Sequence, residues 1–305
     1  MGYVRKKFQI KKPVKAYVFL IKEFGCGMSE AQKWIDRGRI YENGKLVKIK
    51  NSLLLGSIEV IFFEPEPIGL QPIYENTHFA VFDKPSGIMI HPKMLDSEKT
   101  LNDDIKSYFG KNANAVHRID KCTSGLVLVG KDKNSERELK KLFADRLVKK
   151  KYKALVFGKV DKNFRIEANL KSNLPSSKVR IKSHIDSSGK VSITDIKPVR
   201  YIKPLDMSIV EASPLTGRTH QIRAHLFHVK HSIVGDPIYG VDEDDADRFL
   251  NSDMSETERL KLSGASRLML HADFLSFVYK GIEYNIKSEI DFERLVNEYC
   301  SSKRQ

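Results

Sequence analysis

The stretch HRIDKCTSG, residues 117–125, sets an imidazole, a guanidinium and a carboxylate within four positions and follows them with a Thr-Ser-Gly turn. A kinase catalytic loop does not fit. Ile119 separates Arg118 from Asp120, and the chain lacks the Gly-rich loop, the downstream Asn and the DFG sequence that such a loop works with. A Ser-His-Asp hydrolase fits poorly as well, because Ser124 stands in Thr-Ser-Gly rather than in a G-x-S-x-G elbow. Two readings of Asp120 remain: a carboxylate that acts as nucleophile or base, or one that caps the following turn.

The partner class is suggested by charge. The 305 residues carry a formal net charge of +14, and residues 1–50 hold 13 Lys and Arg against four Asp and Glu. So basic a segment favours a polyanion, since each neutralised phosphate releases counterions. No apolar run approaches the ~20 residues of a membrane span, and no apolar segment with a cleavage site follows the basic start. The three cysteines are far apart and form no CxxC. Disulfides and cysteine-based zinc sites are therefore not expected, and a reducing, cytoplasmic setting is.

The elements that must position these groups fall into two domains. Pro65, Pro67 and Pro72 lie within eight residues, which neither a helix nor a central strand tolerates, so residues 65–72 read as a linker. Residues 1–64 then form one domain and 73–305 the other. In the first, VKAYVFLIKEF (14–24) predicts a helix with Val14, Tyr17, Val18 and Ile21 on its apolar face. Ser29 would cap a second helix that Gly38 ends. RIYENGKLV reads as a hairpin turning at Asn43-Gly44, and SIEVIFFE as a closing strand. Lys33 and Arg37, four apart on the second helix, and Arg39 just past it form a basic ridge. In the second domain GLVLVGK, KYKALVFGKV and MSIVEASPL read as strands. NSERELKKLFADR is an amphipathic helix with Leu139, Leu142 and Phe143 on one face, and THQIRAHLFHVKH is helical. Without regular βαβ alternation the expected class is α+β: a mixed, mainly antiparallel sheet with flanking helices.

Further candidate groups are spread along the second domain. They comprise DKPSGIMIHP (83–92), Tyr152 after the basic run of KKKYKALVFG, Arg218 and Arg223 around a histidine in PLTGRTHQIRAHL, the tight turn GDPIYG (235–240), and RLMLHA (267–272). In this order and spacing they resemble the RluA-type pseudouridine synthases, over about residues 74–280. Residues 10–65, with S-x-A-x-x-x-I-x-x-G-R-I-x-x-N-G-K, resemble the S-four (alpha-L) RNA-binding domain. The first resemblance implies Asp120 as the catalytic carboxylate, Tyr152 as the aromatic against the uracil ring, Arg223 as the cation paired with Asp120, and Arg118 as the residue that helps displace the target base. His117 would hold the loop. The second implies that Lys33, Arg37 and Arg39 meet RNA phosphates. Structured ribosomal RNA is the favoured partner and tRNA the alternative, with the chain acting as a monomer.

Pseudouridine formation detaches uracil from ribose carbon 1′ and rejoins it through carbon 5. It involves no net oxidation and no hydrolysis, so no cofactor and no metal are expected. His225, His228 and His231 recur at i,i+3, a stripe that could ligate a metal, but without HExxH or a cysteine cluster they read as structural or RNA-facing. The carboxylate could attack carbon 1′, attack carbon 6 of the base or abstract the 2′ proton. The sequence does not choose among the three.

Overall fold

The computed structural model describes residues 3–92, 98–172 and 177–303. The chain divides into two units, Met1–Ile68 with His91–Ser107, and Gly69–Ile90 with Tyr108–Gln305. No helix or strand interrupts residues 64–71. The carboxylates of Asp103 and Asp104 accept the backbone N–H groups of Glu66 and Ile68 at 3.0 and 3.1 Å, which is why 91–107 group with the first unit and not with the rest of 73–305.

The first unit runs β1 (Tyr3–Lys15), α1 (Ala16–Phe24), α2 (Met28–Asp36), β2 (Ile40–Glu42), β3 (Lys45–Leu46) and β4 (Leu53–Phe63). Its sheet has the order β1-β4-β2-β3. β1 was not legible, because its lysines break the apolar alternation; it is held by antiparallel pairing from Tyr3↔Phe63 to Lys15↔Leu53. This strand takes Val14, so the helix starts at Ala16, and its deepest residues are Ala16, Phe19 and Leu20 rather than the expected face. α2 starts two residues earlier than a cap at Ser29 would place it. Its N-cap is Gly27, whose carbonyl accepts from Glu30 and Ala31, and Ser29 lies inside the helix. Asn43 (φ 48°) and Gly44 (φ 80°) both adopt positive φ, as a type I′ turn requires.

The second unit comprises β5 (Pro72–Glu75), β6 (Phe79–Lys84), α3 (Leu101–Phe109, shared with the first unit), β7 (Asn114–Ala115), β8 (Ser124–Gly130), α4 (Lys133–Ala144), β9 (Lys149–Phe157), β10 (Phe164–Glu167), β11 (Leu170–Ser172), β12 (Ser183–Ile185), β13 (Ile193–Ile202), β14 (Met207–Pro214), α5 (Gln221–His228), α6 (Glu243–Leu250), α7 (Glu256–Ser263), β15 (Leu270–Tyr279), β16 (Ile282–Lys287) and α8 (Phe292–Ser302). The main sheet has the order β10-β13-β14-β9-β15-β8-β6-β5, with β16 on β15 and β7 on β8. Its described pairings are antiparallel except β15 with β8. The mixed, mainly antiparallel sheet is thus as the sequence predicts. β8 is buried along its whole length, which its unbroken apolar run Leu126–Val129 anticipates. On α4, Leu139 is fully buried, with Leu142 and Phe143 packed beside it.

Strand register brings three loops together. Lys84 at the end of β6 pairs with Gly125, and His271 on β15 pairs with Ser124. The loop 117–123 therefore enters β8 between the end of β6 and the start of β15. Gly125 makes the approach feasible: it holds φ +110°, and a Cβ there would lie 2.3 Å from the carbonyl oxygen of Ala272. Gly125→Ala combines a disfavoured φ with a backbone clash and should cost about 1–3 kcal/mol. In thermal unfolding that is a loss of several degrees in Tm; an unchanged midpoint would show that β8 and β15 do not depend on this close approach.

Candidate active site

Asp120 does not cap its turn through the side chain. Thr123 N donates to the Asp120 backbone carbonyl at 3.1 Å, which leaves the carboxylate to face α5. There Arg223 Nη1 donates to Asp120 Oδ2 at 3.1 Å. The other side of the same guanidinium is held by Asp236 through two bonds, Nε to Oδ2 at 2.8 Å and Nη2 to Oδ1 at 2.7 Å. Such a two-pronged grip fixes both the position and the plane of the group. Asp236 is fixed in turn, since its Oδ1 accepts the backbone N–H groups of Ile238 and Tyr239. The Tyr239 ring packs against Arg223, its centroid 5.2 Å from the guanidinium carbon.

Exposure separates the two carboxylates. The side chain of Asp236 is 0% exposed and that of Asp120 is 28% exposed. Asp236 cannot meet a substrate, whereas Asp120 can. Asp120 Oδ1 has no partner among the described residues.

Burial alone would raise the pKa of Asp120; His220, charged in the acid range where Asp120 titrates, Arg223 with its hydrogen bond, and Lys84 more than offset it and hold the carboxyl below its ordinary value. His220 Nε2 lies 3.8 Å from Asp120 Oδ2, but burial and the Arg223 charge push that imidazole down to about 4. At neutral pH His220 is therefore uncharged, and Arg223 is the dominant counter-charge. Removing one partner of such a buried pair strands the other, at a cost of several kcal/mol.

The loop that carries Asp120 is clasped from β6. Lys84 is completely buried, and its Nζ donates to the carbonyls of Pro85 (2.9 Å), Ile88 (2.8 Å) and Lys121 (3.2 Å). Burial lowers its pKa to about 7. Ser86 Oγ donates to the Cys122 carbonyl at 2.6 Å, and Gly87 N to the Lys121 carbonyl at 2.8 Å. His117 holds the other flank: its Nε2 accepts from Leu128 N at 3.0 Å, and its ring stacks on Phe143. Burial, aided by the charge of Lys150, pushes this imidazole down to about 3.

Tyr152 lies mid-sheet on β9, opposite Ala212 on β14 and Ala272 on β15. Burial and the charge of Asp120 both raise its phenol pKa, so the hydroxyl stays protonated. That hydroxyl has no hydrogen-bond partner among the described residues.

The predicted site residues fall into three groups. Asp120 and Arg223 are in contact, and Tyr152 lies within the field of Asp120. Arg118 is exposed two residues before Asp120, with no side-chain partner among the described residues. In the first unit Lys33 and Arg37 are exposed, but Arg39 is not on their ridge. It is 8% exposed and donates to the Tyr3 hydroxyl at 2.9 Å, with its guanidinium over the rings of Tyr3 and Trp34, so its charge is turned inward. Of the histidine stripe, His225 on α5 bonds Thr194 and the Ala168 carbonyl, and His231, past the end of that helix, bonds the Phe157 carbonyl. Sequence reasoning missed Asp236, Tyr239 and Lys84. Their signal lay in GDPIYG and DKPSG, where an acid and a lysine beside glycine and proline were read only as turn residues.

This geometry can hold a partly buried, ionised carboxylate within the field of a protonated phenol, with one carboxylate oxygen without a partner among the described residues. Known proteins similar to this chain show its family. A family profile described as RNA pseudouridylate synthase matches residues 78–228, which include both Asp120 and Arg223. An uncharacterized RNA pseudouridine synthase of Helicobacter pylori is 41% identical over 290 residues, covering 94% of this chain and 96% of that one. The chain belongs to the RNA pseudouridine synthase family. A ribosomal large subunit pseudouridine synthase D of Zymomonas mobilis is 31% identical over 79% of this chain and 76% of its own length. The solved structure of human RNA pseudouridylate synthase domain containing 1 aligns with a TM-score of 0.57 at 25% identity, over 78% of this chain and 97% of that one. A pseudouridine synthase is an isomerase that modifies RNA, and its mainly antiparallel sheet is that of its structural neighbours. Among the described residues no helix is long and apolar enough to cross a membrane.

The depressed pKa of Asp120 has a definite sign in titration. A group whose folded pKa lies below its unfolded value contributes stability above the unfolded value, and that contribution is lost as pH falls through the folded one. NMR titration of the Asp120 carboxyl should give a midpoint below the ordinary 3.8. Arg223→Gln should move that midpoint upward. A midpoint that ignores Arg223 would mean that the guanidinium does not hold the charge.

Proposed function

We propose that this pseudouridine synthase isomerises a uridine in structured RNA, most directly large-subunit ribosomal RNA, with Asp120 as the catalytic carboxylate. The carrying observation is the arrangement at Arg223. One carboxylate is sealed away to orient the guanidinium, and the other is presented to substrate in its ionised form. Tyr152 takes the place under the uracil ring, where an aromatic face returns roughly 1–3 kcal/mol of the stacking lost when the base is flipped out. Arg118, exposed and two residues from Asp120, occupies the space the base leaves. The ribosomal target rests on likeness to relatives such as the Zymomonas mobilis synthase.

In the same reading the first unit is an S-four-type RNA-binding domain. Its two helices, the Asn43-Gly44 hairpin and the exposed Lys33 and Arg37 support this. Arg39 supports the fold of that unit instead of touching phosphate. The enzyme acts as a monomer in the cytoplasm, a setting with which three cysteines outside any disulfide agree.

Pseudouridine mapping of total RNA from cells with the normal protein, with none, and with Asp120→Ala tests the reading. The expected result is a large-subunit site lost in the deletion and not restored by Asp120→Ala. A lost site in tRNA would redirect the substrate, and no lost site would favour a non-catalytic RNA-binding role. The domain reading has its own measurement. Lys33→Glu with Arg37→Glu should weaken RNA binding and lower the slope of log affinity against log salt by about 2, roughly 1 for each phosphate no longer neutralised. An unchanged slope would remove these two residues from the RNA interface.

A further inference from the structure

Beneath the site runs a hydrogen-bond chain that the reaction chemistry does not require. Arg267 Nη2 donates to Ser124 Oγ at 2.7 Å, Ser124 Oγ meets His271 Nδ1 at 2.9 Å, His271 Nε2 meets Ser288 Oγ at 2.8 Å, and Ser288 Oγ meets Asp83 Oδ2. Ser124 and His271 are 0% exposed and Ser288 is 7% exposed. A cation closes one end and a carboxylate the other.

The direction of every proton in the chain follows from its ends. Asp83 Oδ2 also accepts from Glu289 N at 3.1 Å, so it is an acceptor and the Ser288 hydroxyl donates to it. Ile290 N already donates to Ser288 Oγ at 3.0 Å, so the remaining lone pair of that oxygen accepts from His271 Nε2–H. Burial, with the charges of Arg267 and Lys153, pushes His271 down to about 4, so the ring is neutral and its Nδ1 is bare. The Ser124 hydroxyl therefore donates to Nδ1, and its oxygen accepts from Arg267. With the Ser124 and Ser288 hydroxyls and both ring nitrogens engaged, the chain fits one tautomer of His271 only.

Its members tie together the segments that frame Asp120. Asp83 immediately precedes Lys84, Ser124 follows Asp120 by four positions, and Arg267 and His271 lead into and begin β15. We propose that this relay is a positioning device for the reaction, in which His271, as the neutral Nε2–H tautomer, holds Ser124 and Arg267 in place and through them sets the Asp120 loop. The proposal rests on Asp120 being the catalytic carboxylate.

Two conservative variants divide the relay. Asparagine at position 271 can supply an acceptor where Nδ1 stands and so keeps the link to Ser124. Glutamine can supply a donor where Nε2 stands and keeps only the link to Ser288. The assay is single-turnover release of tritium from carbon 5 of uridine in labelled total RNA from cells lacking the protein. His271→Asn should stay within about threefold of the normal rate. His271→Gln should fall by about tenfold to a hundredfold, the scale on which small misplacements of reacting groups act. RNA affinity should be unchanged in both, and the two should lose similar thermal stability. Nitrogen-15 NMR of the normal protein should show His271 as the neutral Nε2–H tautomer. Rates that simply track stability in both variants, no loss in either, or a charged or Nδ1–H ring at neutral pH would overturn the proposal. Asp120→Asn, measured alongside, separates the premises: if it reacts at the normal rate the reading of Asp120 fails, whereas if it is inactive and the two His271 variants are indistinguishable only the relay fails.

Discussion

The guanidinium of Arg223 stands between two carboxylates, and the remainder of the site is arranged around that fact. One acid would suffice to neutralise it. With two, Asp236 uses both oxygens to fix the plane of the guanidinium, and Asp120 receives a single bond from the remaining nitrogen. Asp236 is sealed from solvent and Asp120 is not. The result is a carboxylate that stays ionised despite burial and still has an oxygen to offer. Desolvation by itself would have favoured the neutral acid, which is neither a nucleophile nor a base.

Holding this geometry is a task for the sheet. Asp120 sits on a loop, which would wander if its ends alone were fixed. Antiparallel pairing of β6 with β8 and parallel pairing of β15 with β8 bring the DKPSG turn and the LHA strand against that loop from either side. Lys84, Ser86 and Gly87 then bond its carbonyls directly. A fully buried lysine is costly, and here its three donors are satisfied by backbone oxygens. The parallel pairing of β15 with β8 thus lies beside the Asp120 loop, and it is feasible because position 125 is glycine.

Much of this was legible in the sequence, and the exceptions have physical causes. β8 could be read from its unbroken apolar run and α4 from its amphipathic face, because burial leaves a period. Asp120, Tyr152 and Arg223 could be named from a resemblance, but nothing local reveals that residues 103 positions apart in sequence form an ion pair. Asp236 was hidden inside a turn signature, since aspartate beside glycine and proline is usual in turns on backbone grounds alone. β1 escaped because lysines occupy the exposed positions of its ribbon. Arg39 was misplaced on a ridge because helical spacing says nothing about a residue just past the helix end, where the chain turned its guanidinium toward Tyr3 and Trp34.

Asp120 and Arg223 act as one unit in this reading, with the carboxylate doing chemistry that the guanidinium makes feasible. A double-mutant cycle on the single-turnover rate, using Asp120→Asn, Arg223→Gln and the pair together, tests that most directly. Strong coupling is expected: each single change removes most of the activity, and the double variant is no slower than the slower single. If the two losses multiply instead, the groups act independently and the ion pair is not the device on which the site depends.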